Sequence, residues 1–435
     1  MILRYFPRTW MIWLSCFFYT SAFTQSADSL AHILADRAEE FNNEKSLPFL
    51  DEAFELCAQK KCADSTMARL YQRKSVATYL AQIDNDLSLV YTDSAIFFYE
   101  KAFGAGRLIT ANSYFNKGVI LSALGQNLTA KPFFEAAIQK LGSNTESPQL
   151  VLDSIELRWK FQLLKINRRL GEISSALQIG EEILRSRSLY KQVETGVVLV
   201  TGLIYLDRGQ YDRAKDMYLA HLDKYSTNPS FTATSNLGLS YLKLGDLQPA
   251  EKNLLLRHRR DLERYSQNVN NNSRIPLSNS HANLLQLSLL KEDWQQAEYH
   301  YSEALRLLLE VDSTGRRPRF AEIYFKKSKL EHALGHYESS LAFLTKAMNV
   351  VAPQLAETGV KDDITIIGRF SRVLEIIAFR AQVLTSQGQY EAALSDVMLL
   401  NRLVTQSRRT YQSSLSKYYL IQEVMPVYEL GIQLN

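Results

Sequence analysis

Proline and glycine are scarce in this chain, 10 and 18 among 435 residues. That scarcity excludes collagen-like and low-complexity architectures and disfavours a sandwich of short strands and tight turns. Cysteine is scarcer still, with three residues, which excludes a disulfide-built scaffold. Charge of one sign is also missing. Fifty basic side chains face forty-six acidic ones, leaving a net charge of +4. Such a balance does not supply the basic stripe of a nucleic-acid binder, so no nucleic-acid partner is expected. Past the N-terminus no run is apolar and long enough to span a bilayer, which takes roughly 20 residues. What remains is an ordinary apolar fraction of 46% with few helix breakers, and a helix-rich folded chain is the simplest reading.

The first 25 residues stand apart. Arg4 and Arg8 precede an apolar stretch from Trp10 to Tyr19, followed by small and polar residues. This is the layout of a secretory signal peptide, with cleavage expected near Thr24–Ser26. Lipid attachment at Cys16 is disfavoured, because the mature chain would then continue with the apolar Phe17–Tyr19. Export predicts a periplasmic or secreted protein. Removing residues 1–25 takes the net charge from +4 to +2. Cys57 and Cys62 then remain as an even pair in a compartment that permits disulfides. Five residues apart in one continuous helix they cannot be bridged, so a bridge requires the helix to end near Gln59–Lys61. Two free thiols are the alternative.

A repeat runs through most of the chain. TGLIYLDRGQYDRAKDMY (201–218) aligns with TATSNLGLSYLKLGDLQPAEKNL (232–254) at a constant offset of 36 residues, pairing Gly202 with Gly238, Tyr205 with Tyr241, Gly209 with Gly245 and Ala214 with Ala250. An earlier copy supplies Gly118, Gly125, Ala130, Phe134 and Ala137. Later ones supply Ala297, Tyr301 and Ala304, then Gly335 and Ala347, then Gly388, Tyr390 and Ala393, and a weaker copy supplies Gly171 and Ala176. These residues resemble the tetratricopeptide repeat, with a small residue at position 8, aromatics at 4, 11 and 24, and alanine at 20 and 27.

The resemblance implies an all-α fold, a right-handed α-solenoid of roughly eight or nine stacked helix hairpins. An interior glycine costs a helix about 1 kcal/mol relative to alanine. At position 8 it would let the first helix approach the second, with the alanine of position 20 opposite, while glycine at position 15 would end the first helix. Where position 8 is Leu164, Leu285, Ser328 or Ala381, looser packing is expected. Residues 28–104 read as degenerate N-terminal repeats and residues 105–408 as the main array. The stretches 266–280, rich in asparagine and serine without an apolar face, and 311–319 read as loop insertions. Residues 409–435 form an apolar segment that suits a further repeat or a self-association surface.

Chemistry was sought at each reactive residue type. His332 and His336 are four apart, but Gly335 places a turn between them, and no carboxylate completes a metal-binding spacing. GAGR at 104–107 lacks the glycines of a phosphate loop, and no nucleophile motif occurs. No active site, metal or cofactor is expected. RHRRDLER (257–264) reads as a solvated helix extension.

Function in such repeats resides in the inner groove, lined by positions 2, 5, 9 and 12 of the first helices. In this register they are Arg158, Phe161, Lys165 and Arg168, then Leu199, Leu203 and Leu206, then Leu239 and Leu242. A cationic patch beside an apolar wall would suit an extended peptide with an acidic residue and apolar anchors. Burial of these leucines by neighbouring segments is the competing reading. No repeat pairs lysine at position 5 with asparagine at 9, which disfavours the clamp that reads chaperone C-termini. The terminal SLSK…VYELGIQL also resembles the last repeats that precede caspase-like CHAT domains, and this resemblance implies a regulatory role for a separate effector. The sensing region of a two-component receptor is a further alternative.

Overall fold

The computed structural model describes residues 26–39, 44–81, 84–104, 106–144, 147–186, 191–315, 317–353 and 370–410. The signal-peptide reading and residues 411–435 of the apolar C-terminal segment lie outside them. The described residues hold eighteen α-helices and no strand. The chain divides into two compact units between Ile166 and Asn167.

The first unit contains α1 (Ala27–Glu39), α2 (Leu47–Lys60), α3 (Asp64–Leu80), α4 (Asn85–Phe103), α5 (Leu108–Ala123) and α6 (Asn127–Gly142), with most of α7 (Gln149–Arg169). Consecutive members pack as hairpins. The second unit continues with α8 (Ile173–Leu184), α9 (Lys191–Asp207), α10 (Tyr211–Lys224), α11 (Phe231–Leu244), α12 (Leu247–Gln267), α13 (Asn271–Leu290) and α14 (Trp294–Val311). It ends with α15 (Pro318–Ala333), α16 (Tyr337–Val351), α17 (Phe370–Ser386) and α18 (Tyr390–Thr410). Five hairpins stack here, α9/α10 through α17/α18.

The turn inside each hairpin from α9/α10 to α17/α18 follows one pattern. Gly209 adopts φ 69° and Gly245 φ 84°, the left-handed region open to glycine. The next amide then reaches back to the helix, Gln210 N to Tyr205 O and Asp246 N to Tyr241 O, both at 2.9 Å. That pair of bonds satisfies carbonyls a helix end would leave bare. Between α13 and α14 the same position holds Glu292, which takes φ 57° without being glycine. The fold tolerates one strained turn where the array supplies the closure.

The alanines at position 20 are the tightest points of the core. Ala130, Ala214, Ala250, Ala297 and Ala393 are fully buried. At Gly238 the glycine of position 8 meets position 20 as expected, an added Cβ lying 3.3 Å from Ala250 O, but position 24 comes closer still. A Cβ on Gly202 would lie 2.3 Å from the ring of Tyr218, on Gly238 2.9 Å from Leu254, and on Gly118 3.1 Å from Phe134. The eighth residue therefore meets the twenty-fourth, because the side chain at 24 lies across the hairpin while the alanine at position 20 leaves room for backbone. The looser packing expected without glycine is also not found: Leu164, Leu285, Ser328 and Ala381 are all fully buried.

The stretch 266–280 is not a loop. α12 runs to Gln267, three residues intervene, and α13 begins at Asn271. The Asn270 side chain accepts from the amides of Asn272 and Ser273, and Ser273 Oγ accepts from Asn270 N, a reciprocal cap. Ser278 Oγ donates to Ala304 O at 2.7 Å and Ser280 Oγ to Leu277 O at 2.9 Å. With their hydroxyls satisfied, these serines act as small core residues. α13 also buries two sides, Leu284 and Leu287 with Leu242 and Leu254, and Ala282 and Leu285 with Ala297 and Tyr301. A helix buried on two sides shows no single apolar stripe. The second insertion is real but short, confined to the residues between Val311 and Pro318.

In the first unit α2 stops at Lys60 and Lys61 turns left-handed at φ 54°. Cys57 and Cys62 are bridged there, with Cα atoms 4.9 Å apart. Cys57 also packs with Leu50, Ala53, Leu70 and Ala77.

Candidate concave binding surface

The predicted patch falls into two parts. Arg158, Phe161 and Lys165 belong to the first unit, where Arg158 is exposed and Lys165 Nζ lies 5.0 Å from the Phe161 ring centre. Arg168 and the leucines belong to the second unit and are described within it. Arg168 is already engaged, donating to Asp207 Oδ2 at 2.9 Å. Leu199 and Leu206 are partly buried against Val198, Tyr218 and Leu237. Leu239 packs beside Leu254 and Leu284, and Leu242 is only 4% exposed in that same core. Leu242 therefore contributes nothing to a groove wall. Its position 12 is turned inward because α13 covers it. Only Leu203 among these leucines is partly exposed without membership of a core cluster.

The same register on α15 has a different outcome. Positions 5, 9 and 12 are Phe325, Lys329 and His332. Lys329 Nζ lies 4.6 Å from the Phe325 ring centre and 5.6 Å from that of Phe379 on α17. Arg372 of α17 stands over the same Phe325 ring at 5.6 Å. The two phenylalanine rings meet edge to face at 5.8 Å. His332 packs on Phe379 at 5.4 Å, and its Nε2 lies 3.1 Å from Ser386 Oγ. This cluster lies beyond the three repeats whose inner positions were expected to line the groove. The signal was present: the same four positions, continued to the repeat beginning at Ala321, give a phenylalanine, a lysine and a histidine.

Lys329 is exposed, yet its ammonium pKa is pushed down. Crowding by neighbouring side chains comes first, followed by repulsion from Lys243, Arg372 and Lys326, with Glu375 opposing. Glu322 reports the same field from the other sign, its carboxyl held down at about 2 chiefly by Lys326, with Arg372 and Arg319 adding to it.

Histidine pairing from sequence was incomplete. His332 and His336 do separate, His336 turning to Glu331 at 3.1 Å. His258, His281 and His300, far apart in sequence, converge instead. His281 Nδ1 and His300 Nδ1 are 3.0 Å apart, and the His258 and His281 rings meet at 4.5 Å. Burial first and mutual repulsion second push His281 down to about 3 and His300 to about 4. They are neutral core groups, and among the described residues no set of three or more histidine, cysteine or acidic side chains is arranged to hold a metal ion. The basic run 257–264 extends α12 with Arg259, Arg260 and Arg264 exposed, and only Asp261 within it is buried. Arg257 Nε donates to Asp261 Oδ2 at 2.6 Å and Asp261 is buried, because α13 packs against α12. No described helix is long and apolar enough to cross a membrane.

The tetratricopeptide repeat family profile matches residues 111–139, which lie within α5 and α6. A search of curated proteins finds no match. Among solved structures, the apo form of RapI aligns over 88% of this chain and 96% of its own, at 13% identity and a TM-score of 0.54. A tetratricopeptide repeat protein from Parabacteroides merdae covers 72% of this chain and 98% of its own, at 16% identity and a TM-score of 0.42. A Rap protein complexed with competence and sporulation factor covers 93% and 99%, at 10% identity and a TM-score of 0.45. The RapI likeness is one of fold. With the repeated hairpins and their shared turns, it makes the fold class an α-solenoid of stacked tetratricopeptide hairpins.

Proposed function

We propose that this chain is an exported scaffold that binds other proteins or peptides through the inner positions of its first helices. One observation carries the reading: the inner positions of α15 present Lys329 and His332 beside Arg372 and Phe379 of α17, all in reach of solvent, where α9 and α11 use their inner positions mainly for packing. Stacked hairpins make such surfaces long and shallow, which suits extended chains more than small substrates.

Two features support export. The Cys57–Cys62 bridge belongs to a compartment that keeps thiols oxidised, and residues 1–25 carry the signal-peptide layout. The destination is then the periplasm or the outside of the cell. Control of a separate caspase-like effector is a narrower form of the same role, supported by the resemblance of the C-terminal segment alone.

Crosslinking of the full-length chain to its co-purifying partners, read by mass spectrometry, tests the binding role. Crosslinks are expected at Lys243, Lys329 and other first-helix lysines. Crosslinks confined to second-helix lysines such as Lys215 would overturn it. Export is checked by the N-terminal residue of the protein recovered from its native cell, expected near Thr24–Ser26.

A further inference from the structure

The inner surface of α15 and α17 is much more basic than the chain as a whole. Around Lys329 stand Arg319, Arg372 and the buried Lys326, which donates to Ala282 O, with Lys243 of α11 close enough to be felt, against Glu322 and Glu375. Two of these cations have a local carboxylate: Lys326 Nζ is 2.9 Å from Glu322 Oε1, and Arg372 pairs with Glu375, while Arg319 donates to the side-chain oxygen of Asn279. Lys329 has no carboxylate within ion-pair distance among the described residues. It rests between two aromatic rings, an arrangement that stabilises the charge from below while leaving ammonium donors directed away from the rings.

We propose that this aromatic-floored cation pair, Lys329 and Arg372 over Phe325, is a binding site for an acidic side chain of an extended peptide, with an adjoining apolar residue seated on Phe379. The assignment rests on the reading of the inner surface as a binding surface. A carboxylate would accept from the Lys329 ammonium and from an N–H of Arg372, and the geometry of the guanidinium allows it to do so while keeping Glu375. Lys243 would add attraction without contact. The ligand class follows from size and shape. Five cations offset by two acids leave an excess of three positive charges, enough for an acidic side chain, and two rings beside them favour a ligand with an apolar neighbour. A nucleic acid would need a longer run of phosphate contacts than this patch supplies. The cations also occupy register positions other than the lysine-5 and asparagine-9 pair.

A random-peptide display selection on the full-length chain tests the site. Selected peptides are expected to be enriched in aspartate or glutamate next to leucine or phenylalanine. Binding of a selected peptide should fall about tenfold or more in Lys329→Ala and in Arg372→Ala, as for loss of a charge-assisted hydrogen bond. It should be largely retained in Lys329→Arg and unchanged in Lys215→Ala, on the outer side of α10. Raising salt from 50 to 200 mM (about a fourfold step) should weaken binding by severalfold. Peptides that lack acidic enrichment, or that bind Lys329→Ala and Arg372→Ala as well as the parent, overturn the site while leaving the peptide-binding role standing. Competition by a single-stranded oligonucleotide as strong as that of the acidic peptide also overturns it. Recovery of no peptide at all overturns both. Circular dichroism of each variant guards the reading against misfolding.

Discussion

Helices α9 and α15 begin equivalent repeats, and their inner positions 5, 9 and 12 read Leu199, Leu203, Leu206 in one and Phe325, Lys329, His332 in the other. The backbone treats them alike. In the first, Leu199 and Leu206 are drawn into the core beside Tyr218 and Leu237, and on the following first helix Leu242 is sealed completely. In the second, the phenylalanine serves as floor and the lysine stays at the surface. A register position therefore fixes where a side chain starts, and side-chain chemistry decides whether it packs or remains available. The inner positions of α9 are spent on packing, and those of α15 keep a cation at the surface for the proposed binding role.

The largest expected break of this contrast is at Leu242. Truncation to alanine opens a cavity in a sealed core and should cost about 3 kcal/mol in denaturant unfolding. Leu203→Ala, at the equivalent surface of α9, should cost only about 1 kcal/mol. Equal costs would mean that Leu242 is open in solution and that the apolar wall exists.

Close approach within the packed stretch gives the next effect. Gly202→Ala should destabilise by about 2 kcal/mol, since its methyl would overlap the fully buried Tyr218 ring and only part of that is recovered by better helix propensity. Tyr218→Leu in the same chain should remove most of the added penalty, because Ser328, which carries a Cβ, already occupies position 8 with Leu344 at position 24, both fully buried. A double-mutant cycle with no coupling would refute the pairing of positions 8 and 24.

Between the two stretches in the chain, α12, α13 and α14 hold the three histidines, and acid should act there first. Their folded pKa values lie below the unfolded value near 6.5, with His281 at about 3 and His300 at about 4. The unfolded chain therefore binds more protons between these limits, so stability is present above pH 6.5 and falls as pH drops towards 4. Asp261 and Asp293 oppose the depression weakly and Arg306 deepens it. His281→Gln should flatten the stability–pH slope by about one proton, roughly 1.4 kcal/mol per pH unit. An unchanged slope would show that the imidazoles are already hydrated.

Much of the fold was legible because its signals are local and repeated. Gly209 and Gly245 announce turns, and Ala214 and Ala250 announce tight contacts at a fixed offset. The stretch 266–280 was not legible, since an Asn270–Ser273 cap and serines that hydrogen-bond to backbone look polar in sequence yet are buried in the stack. The binding surface was only half legible. Register identified the inner positions, but the burial of Leu242 depends on α13, and the partnership of Phe325 with Phe379 and Arg372 depends on residues more than forty positions away. Convergence of His258, His281 and His300 likewise comes from three helices.

The smallest expected change is also the sharpest comparison. Lys329→Ala should alter folding stability by less than about 0.5 kcal/mol, and in the stabilising direction. The side chain is exposed, and its ammonium stands among Lys243, Lys326 and Arg372, whose repulsion is relieved when it is removed. The cation–ring contacts work against this gain, but at an exposed site they contribute only about 0.5–1 kcal/mol, and part of that passes to Arg372, which already lies over Phe325. Added salt should then stabilise the parent more than the variant, since screening relieves the same repulsion. A loss of about 1 kcal/mol or more would make Lys329 a structural residue like Leu206, and the two stretches of groove would no longer differ in kind.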